Sequence, residues 1–159
     1  MLNSKLLDDI GRQILRILQE DGRISFNELG RRVGLSSPAV AERVRRMEEA
    51  GIILGYRAVV DHARVGYPIM AYIRLSISVS HLPQADELAK SIPEVLECHH
   101  LTGSDGVILK VVVSSVGHLE DVISQMGVCG MTTTAIVLSS PVLDRPIDPI
   151  KLLNGDAAE

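Results

Sequence analysis

Hydrophobic residues near the start of the chain recur every three or four positions, which is the spacing of an amphipathic helix. Asp21 and Gly22 end this first predicted helix, because both residue types favour turns. The apolar face of the helix carries Leu7, Ile10, Ile14, Ile17 and Leu18.

A second, shorter helix is predicted to begin after Ser25. This serine stands three residues before Glu28, the spacing of a capping box that satisfies free N–H groups at a helix start. Gly34 ends the helix. We expect its short buried side to contain Phe26, Leu29 and Val33.

A third helix is predicted between Gly34 and Gly51. Ser37 can cap its start and Pro38 fits its first position, where the missing N–H costs nothing. The inner stripe consists of Val40, Val44 and Met47, and the outward or flanking positions are Ala39, Glu42, Arg43 and Arg46. The last two helices and their glycine turn predict a helix-turn-helix, whose final helix fits the DNA major groove.

The second half of the chain predicts a sheet with two helices. From Ile69 to Ser80 apolar and polar residues alternate, as in a strand with one buried face. Helical spacing follows at 85–92 and 119–126, and further strands are predicted at 95–101, 107–113 and 133–138. The order β-α-β-β-α-β indicates a ferredoxin-like domain with both helices on one face of the sheet and the other face left for a partner.

The fold class predicted is α+β, with two domains. Residues 52–60 are β-prone and could form either a wing or a connecting strand, and Gly66 and Pro68 mark a boundary. The expected parts are a helix-turn-helix (winged-helix-like) domain at 1–60, a linker at 61–68, a ferredoxin-like βαββαβ domain at 69–140 and an extended tail at 141–159.

Charge is divided unevenly between these parts. The net charge is -4, yet residues 1–64 hold 11 Lys and Arg against 9 Asp and Glu, whereas residues 65–159 hold 5 against 11. Six arginines lie between Arg23 and Arg46, against only Glu28 and Glu42. This asymmetry indicates a basic binding module joined to an acidic domain, although a solvated arginine-rich surface would give the same count.

Other classes of protein fit the sequence poorly. A 159-residue chain that is 46% hydrophobic is not disordered, and two cysteines are too few for a disulfide framework or a four-ligand zinc site. Cys98, His99 and His100 alternate between strand faces, so they are not predicted to bind a metal together. We expect no catalytic residue, metal or cofactor, and a cytoplasmic location, because neither catalytic motifs nor a span of about 20 apolar residues is present.

Two stretches carry a resemblance to a known family. ILRILQEDGRISFNELGRRVGLSSPAVAERVRRMEEAGIILGY and PEVLECHHLTG resemble signatures of the Lrp/AsnC, or feast-famine, family of prokaryotic transcriptional regulators, and the resemblance covers roughly residues 5–140. It implies a DNA-binding domain joined to a ferredoxin-like domain that forms homodimers and then higher oligomers, often octamers. It also implies an amino-acid effector bound between subunits.

By this resemblance the third helix is the recognition helix. The positions expected to face double-stranded DNA are Ser36, Ser37, Ala39, Glu42, Arg43 and Arg46, with Arg31, Arg32 and Arg45 as further candidates. Arg32 and Arg45 could instead pair with Glu28, Glu48 or Glu49, and such surface pairs contribute only about 0–1 kcal/mol.

The effector loop departs from the family pattern. Gly106 stands where the family usually has Asp, and Val107 where Tyr is common, so no carboxylate is supplied for an amino acid's ammonium group at that position. The candidate effector-binding residues are Thr102, Gly103, Ser104, Asp105, Gly106, Thr132, Thr133 and Thr134. The alternative is an ordinary β-turn.

Two other functions are weighed against the regulator. Siroheme decarboxylases resemble this family in fold, and His99, His100 and Arg74 would be the catalytic candidates in such an enzyme. An oligomeric adaptor could bind effectors without binding DNA. The six arginines between 23 and 46 favour the DNA-binding regulator over the enzyme. Affinity for DNA would exclude the adaptor as the main role.

Overall fold

Residues 6–103 and 106–148 are described by a computed structural model of the chain. They divide into two compact units, of which one contains the chain up to Ala58 together with the segment from Val142, and the other is Val59–Pro141. The predicted α+β class is confirmed, because a helical unit and a unit with a four-stranded sheet and two helices are both present.

Three helices form the first unit, namely α1 (Asp9–Glu20), α2 (Phe26–Val33) and α3 (Ser37–Glu49). Asp8 caps α1 by accepting a hydrogen bond of 2.8 Å from the N–H of Gly11. Ser25 caps α2 by accepting one of 3.2 Å from the N–H of Glu28, which confirms the predicted helix start.

The ends of α3 follow from backbone hydrogen bonds. The cap residue is Ser36, and the prediction of Ser37 is wrong by one position, because the Ser36 carbonyl already accepts the first helical bond from Val40 at 3.0 Å. Gly51 has φ +68°, and the N–H groups of Gly51 and Ile52 close on the carbonyls of Glu48 and Met47. The predicted glycine stop is therefore confirmed.

Packing among the three helices decides which side of α3 faces outward. Val40, Val44 and Met47 are fully buried against Ile14 and Leu29, as the inner stripe predicts. Phe26 is 42% exposed, so its assignment to the buried side of α2 is wrong. It is the first residue of an eight-residue helix and extends past the core that Leu29 and Val33 reach.

The β-prone segment 52–60 forms no strand within the described chain, so the expected wing or connecting strand is wrong for the single chain. Ile52 and Ile53 pack against the helical core, whereas Leu54 is 95% exposed. A strand needs a hydrogen-bonded neighbour, and no strand of the described sheet pairs with this segment.

The second unit has the order β-α-β-β-α-β, which confirms the ferredoxin-like arrangement. Its neighbouring strands are antiparallel and lie in the order β2-β3-β1-β4. The elements are β1 (Ile69–Ser76), α4 (Leu82–Ser91), β2 (Val95–His100), β3 (Val107–Val113), α5 (Val116–Met126) and β4 (Met131–Ile136).

Three strands differ from the prediction at their ends. β1 ends at Ser76 instead of continuing to Ser80, β2 ends at His100 instead of 101, and β4 is Met131–Ile136 instead of 133–138. The last pair between β1 and β4 is Ser76 with Met131. At the adjacent Gly130, an added Cβ would lie 2.5 Å from the Ser76 carbonyl oxygen, so this close backbone approach fixes where the pairing stops.

Both helices cover one face of the sheet. Ala71, Ile73 and Leu75 are fully buried in a core shared with residues of α4 and α5, whereas Tyr72 and Arg74 alternate onto the opposite, open face. The helices therefore leave the other face of the sheet uncovered within the described chain, as the alternation predicts.

The tail after Pro141 belongs to the first unit and contains no helix or strand through Asp148. The side-chain amide of Gln19 donates to the Ile147 carbonyl at 2.9 Å and accepts from the Ile147 N–H at 2.8 Å. Arg16 pairs with Asp148 at 2.8 Å. Pro149, which the sequence placed in the extended tail, lies outside the described residues.

None of the helices in the described ranges has the length and apolar character needed to cross a membrane.

The turn between α2 and α3 depends on the small size of Gly30. An added Cβ at Gly30 would lie 2.5 Å from the carbonyl oxygen of Leu35, whereas at Gly22 the nearest atom would be 3.5 Å away. We therefore predict that Gly30→Ala lowers the free energy of unfolding by about 1–3 kcal/mol. Gly22→Ala should change it by less than about 0.5 kcal/mol. Urea unfolding followed by circular dichroism measures both, and equal stabilities would contradict the prediction.

Candidate nucleic-acid interface

The outward side of α3 presents small residues at its start and charged residues along its length. Ser36 and Ala39 are exposed and Ser37 is half-buried, and the Ser36 side chain makes no capping hydrogen bond. Small side chains at this end permit close approach to a groove. Ala39, Glu42, Arg43 and Arg46 line a shallow groove of about 280 Å³ together with Leu6.

Arg43 is held by a carboxylate from another helix. Its two terminal nitrogens donate to both oxygens of Asp8 at 2.8 and 2.9 Å, and 29% of its side chain is exposed. These hydrogen bonds lower the pKa of Asp8. Because Asp8 also caps α1, Arg43 fixes the start of α1 against α3. No local pattern in the sequence predicts this long-range pair.

Arg45 and Arg46 share one carboxylate on the surface of α3. Arg45 donates to Glu42 through Nε at 2.9 Å and Nη2 at 2.8 Å, and Arg46 donates through Nε at 2.7 Å. Arg45 also pairs with Glu49. The predicted surface pairing of Arg45 with Glu49 is confirmed, and Glu42 is an additional partner. We call Glu42, Arg45 and Arg46 the α3 cluster.

The same geometry occurs on α2. Arg31 donates to Glu28 through Nε at 2.8 Å and Nη2 at 2.6 Å, and Arg32 donates through Nε at 3.0 Å. The surface pairing of Arg32 with Glu28 is thus confirmed. We call Glu28, Arg31 and Arg32 the α2 cluster.

Both clusters keep their carboxylates ionised under ordinary conditions. Hydrogen bonds from Arg31 and Arg32 lower the pKa of Glu28 to about 2, and those from Arg45 and Arg46 lower the pKa of Glu42 to about 2. Each cluster therefore combines two positive charges with one negative charge. The net positive surface of the helix-turn-helix is smaller than the arginine count suggests.

Tyr56 is a residue that the sequence analysis missed. Burial and a hydrogen bond with Glu48 raise the pKa of its hydroxyl to about 12, and its ring is the nearest side chain to Gly22. It therefore holds the segment after α3 against Glu48 of that helix and the turn at Gly22. An aromatic residue in an otherwise aliphatic β-prone run was the available signal.

The loop between β2 and β3 is closed by a hydrogen bond of 2.7 Å from Leu101 N–H to the Gly106 carbonyl. Thr102 and Gly103 are exposed, and Gly106 is half-buried with φ +65°. Ser104 and Asp105, which the sequence also assigned to effector binding, lie outside the described residues.

The three candidate threonines of β4 do not share one face. Thr132 and Thr134 pair with Leu75 and Ile73 and are half-buried on the helix side, whereas Thr133 pairs with Arg74 on the open face. Thr132 is also separated from the β3 end of the loop by β1, a distance of about 10 Å across two strand spacings. The structure thus places Thr102, Gly103 and Gly106 in one loop. It does not bring Thr132, Thr133 and Thr134 together with them at a single site.

The histidines proposed for the enzyme alternative are divided in the same way. His99 and Arg74 flank Ile108 in one row of the sheet, on its open face. His100 lies on the opposite face, where its Nε2 contacts Asp86 at 2.8 Å. The predicted separation of His99 from Cys98 and His100 is confirmed.

Family models match both units. The model of the AsnC-type helix-turn-helix domain matches residues 7–48, and the model of the Lrp/AsnC ligand binding domain matches residues 70–147. The chain belongs to the Lrp/AsnC family of DNA-binding transcriptional regulators. This confirms the resemblance inferred from the sequence.

Individual relatives agree with this Lrp/AsnC assignment. The chain is 42% identical over 135 residues to an uncharacterized HTH-type transcriptional regulator of Bacillus subtilis, YezC, which covers 84% of this chain and 95% of the relative. A feast or famine regulatory protein from Mycobacterium tuberculosis, complexed with L-methionine, has a TM-score of 0.83 at 34% identity and covers 90% of this chain and 99% of that structure. A Neisseria meningitidis transcriptional regulator, also in an L-methionine complex, has a TM-score of 0.83 at 27% identity, covering 89% and 96%.

The two clusters of this Lrp/AsnC regulator give a pH prediction. Because the folded pKa of Glu28 and Glu42 lies below the ordinary 4.5, their pairing stabilises the fold above pH 4.5 and is lost progressively as pH falls toward about 2. We expect the carboxyl carbons of both residues to titrate near pH 2 in NMR spectra. Changing both Arg45 and Arg46 to Gln should raise the pKa of Glu42 toward the ordinary 4.5 and leave the pKa of Glu28 unchanged.

A midpoint near 4.5 for Glu42 in the unmodified protein would contradict this prediction. Glu28 serves as the internal control in the Arg45→Gln, Arg46→Gln variant, because its own arginine partners remain.

Proposed function

We propose that this regulator binds specific DNA sites by inserting α3 into the major groove, and that an amino acid or related metabolite bound between subunits modulates the binding. The observation that carries the proposal is the outward side of α3. Small residues at its start and Arg46 on its surface lie opposite the buried stripe of Val40, Val44 and Met47. The proposed DNA-facing residues are Ser36, Ser37, Ala39, Glu42, Arg45 and Arg46, with Arg31 and Arg32 of α2 near the backbone.

Arg43 has a different proposed role. Its bidentate pair with Asp8 leaves Arg43 less exposed than Arg46. We therefore assign Arg43 to orienting α3 and not to contacting DNA. The proposed domain boundaries remain those of the sequence: a DNA-binding domain at 1–60, a linker at 61–68, an effector and assembly domain at 69–140 and a tail at 141–159.

Assembly into homodimers and larger oligomers is supported by the open face of the sheet. This face carries Tyr72, which is 38% exposed, and Met131, which is 73% exposed. A half-covered sheet in a small domain commonly packs against a second copy. A two-fold dimer would place two recognition helices on half-sites about 34 Å apart, or a multiple of that distance.

The effector proposal is supported by the two related structures that contain L-methionine. The exposed groups of Thr102 and Gly103 provide donors for an amino acid's carboxylate, and the adjoining Ser104 and Asp105 provide a hydroxyl and a carboxylate. We therefore take L-methionine as the first effector to test.

No enzymatic role is proposed, and a cytoplasmic location is proposed from the regulatory role. The three candidate residues for a tetrapyrrole enzyme do not share one site, because His99 and Arg74 lie on one face of the sheet and His100 on the other. An adaptor without DNA binding would have no use for the exposed small and basic residues of α3.

Fluorescence anisotropy with the protein's own upstream DNA tests the proposal. We expect binding to be tighter than to a scrambled duplex and to weaken steeply with salt, because phosphate contacts release counterions. Arg46→Gln should weaken binding to both duplexes about fivefold at about 0.15 M salt, the contribution of one phosphate contact.

Lys90→Gln is the matched control, because Lys90 is an exposed cation of α4 that pairs with Glu87. It should leave affinity unchanged. Equal losses for the two variants, or no preference for upstream DNA at low salt, would contradict the proposal. In a parallel titration, L-methionine should shift the affinity for upstream DNA, and no shift would contradict the effector part alone.

A further inference from the structure

The α2 and α3 clusters repeat one arrangement at a spacing of 14 residues. The stretches ELGRR and ERVRR both place a glutamate three and four residues before two arginines. In each stretch the arginine three residues after the glutamate donates to both carboxylate oxygens. The next arginine donates to one of them through Nε. The repetition shows that a glutamate holds the arginine pair on each of the two helices of the helix-turn-helix.

These carboxylates compete with DNA for the arginines. A guanidinium binds a phosphate in the same bidentate geometry that it uses with a carboxylate. Arg45 is occupied more completely than Arg46, because it contacts Glu42 and also Glu49. A phosphate that takes up Arg45 must therefore displace two carboxylates and approach their negative charge.

Glu42 also retains some capacity to accept hydrogen bonds. An ionised carboxylate has about four lone-pair sites, and the hydrogen bonds to Arg45 and Arg46 use two on Oε1 and one on Oε2. The remaining site on Oε2 can accept a hydrogen bond from a base amino group in the major groove, where cytosine N4 and adenine N6 are exposed.

We propose that Glu42 is a specificity-determining residue that limits sequence-independent DNA binding. This inference rests on the proposed DNA-binding function of α3. The Glu42 carboxylate keeps Arg45 from phosphates on any sequence. The loss is compensated only where a base amino group donates to the remaining lone pair of Glu42. Affinity for non-specific DNA is thereby lowered more than affinity for the specific site.

Glu28 provides a contrast within the same unit. Its cluster has the same geometry, but it lies on α2, the helix that crosses the DNA backbone in a helix-turn-helix. Backbone contacts carry no sequence information. The Glu28 carboxylate therefore lowers affinity for specific and non-specific DNA equally.

The test compares Glu42→Gln with Glu28→Gln in the full-length protein. The specific DNA is the duplex that the wild-type protein selects from a randomised pool, and the non-specific DNA is the same duplex with its sequence shuffled. Binding is measured by anisotropy across a salt series. Circular dichroism melting establishes that each variant is folded.

For Glu42→Gln we expect binding to the shuffled duplex to tighten about fivefold at about 0.15 M salt, and the slope of log affinity against log salt to steepen by about 0.9, since one phosphate contact is gained. Binding to the selected duplex should tighten less, because a neutral amide oxygen replaces a charge-assisted acceptor. The ratio between the two affinities therefore falls. For Glu28→Gln both affinities should rise together and the ratio should stay constant.

Glu87→Gln is the matched control, since it removes one exposed carboxylate that pairs with Lys90 three residues later on α4. It should change neither affinity. The inference is overturned if Glu42→Gln leaves both affinities unchanged, tightens both equally or weakens both. If the wild-type protein shows no salt-dependent binding and selects no sequence, the proposed function fails. If the wild-type protein binds DNA and Glu42→Gln binds it in the same way, only the inference about Glu42 fails.

Discussion

The pairing of arginine with carboxylate on the helix-turn-helix is the interaction on which the DNA-binding surface depends. Glu28 and Glu42 each hold two arginines, and Asp8 holds Arg43. A chain with a net charge of -4 can approach a polyanion only if its cations are concentrated and oriented. The carboxylates orient these cations but also reduce the positive charge of the surface. In our proposal, affinity for DNA is thereby lowered, and at Glu42 selectivity for the specific site is gained.

The apolar core makes this arrangement possible by fixing which side of α3 is exposed. Val40, Val44 and Met47 are fully buried, and the close approach of Gly30 to Leu35 holds α2 and α3 in a tight turn. In the second unit the helices cover one face of the sheet, and its open face is the surface we propose for assembly. An effector bound between subunits would act on DNA affinity only by favouring one assembly over another.

Local patterns in the sequence predicted most of the fold. The three amphipathic helices, the cap at Ser25, the stop at Gly51 and the βαββαβ order all follow from periodicity and turn chemistry. Two local assignments, the cap at Ser37 and the burial of Phe26, were wrong at helix ends. The other errors arose where distant parts of the chain decide the outcome. The segment 52–60 has strand propensity but no strand partner among the described residues, and the end of β1 is set by the approach of Gly130. For the site, the i,i+3 and i,i+4 pairs could be anticipated from spacing, whereas the Asp8–Arg43 pair spans 35 residues and could not.

Methylation protection on a selected DNA site tests directly whether α3 enters the major groove, because dimethyl sulfate reacts with guanine N7 there. An α3 helix seated in that groove predicts protected guanines in two patches about one helical turn, or roughly 34 Å, apart. Hydroxyl-radical cleavage on the same site reports contacts to the backbone. Protection of the backbone with unprotected guanines across the site would contradict the account, since the protein would then hold phosphates without α3 entering the major groove.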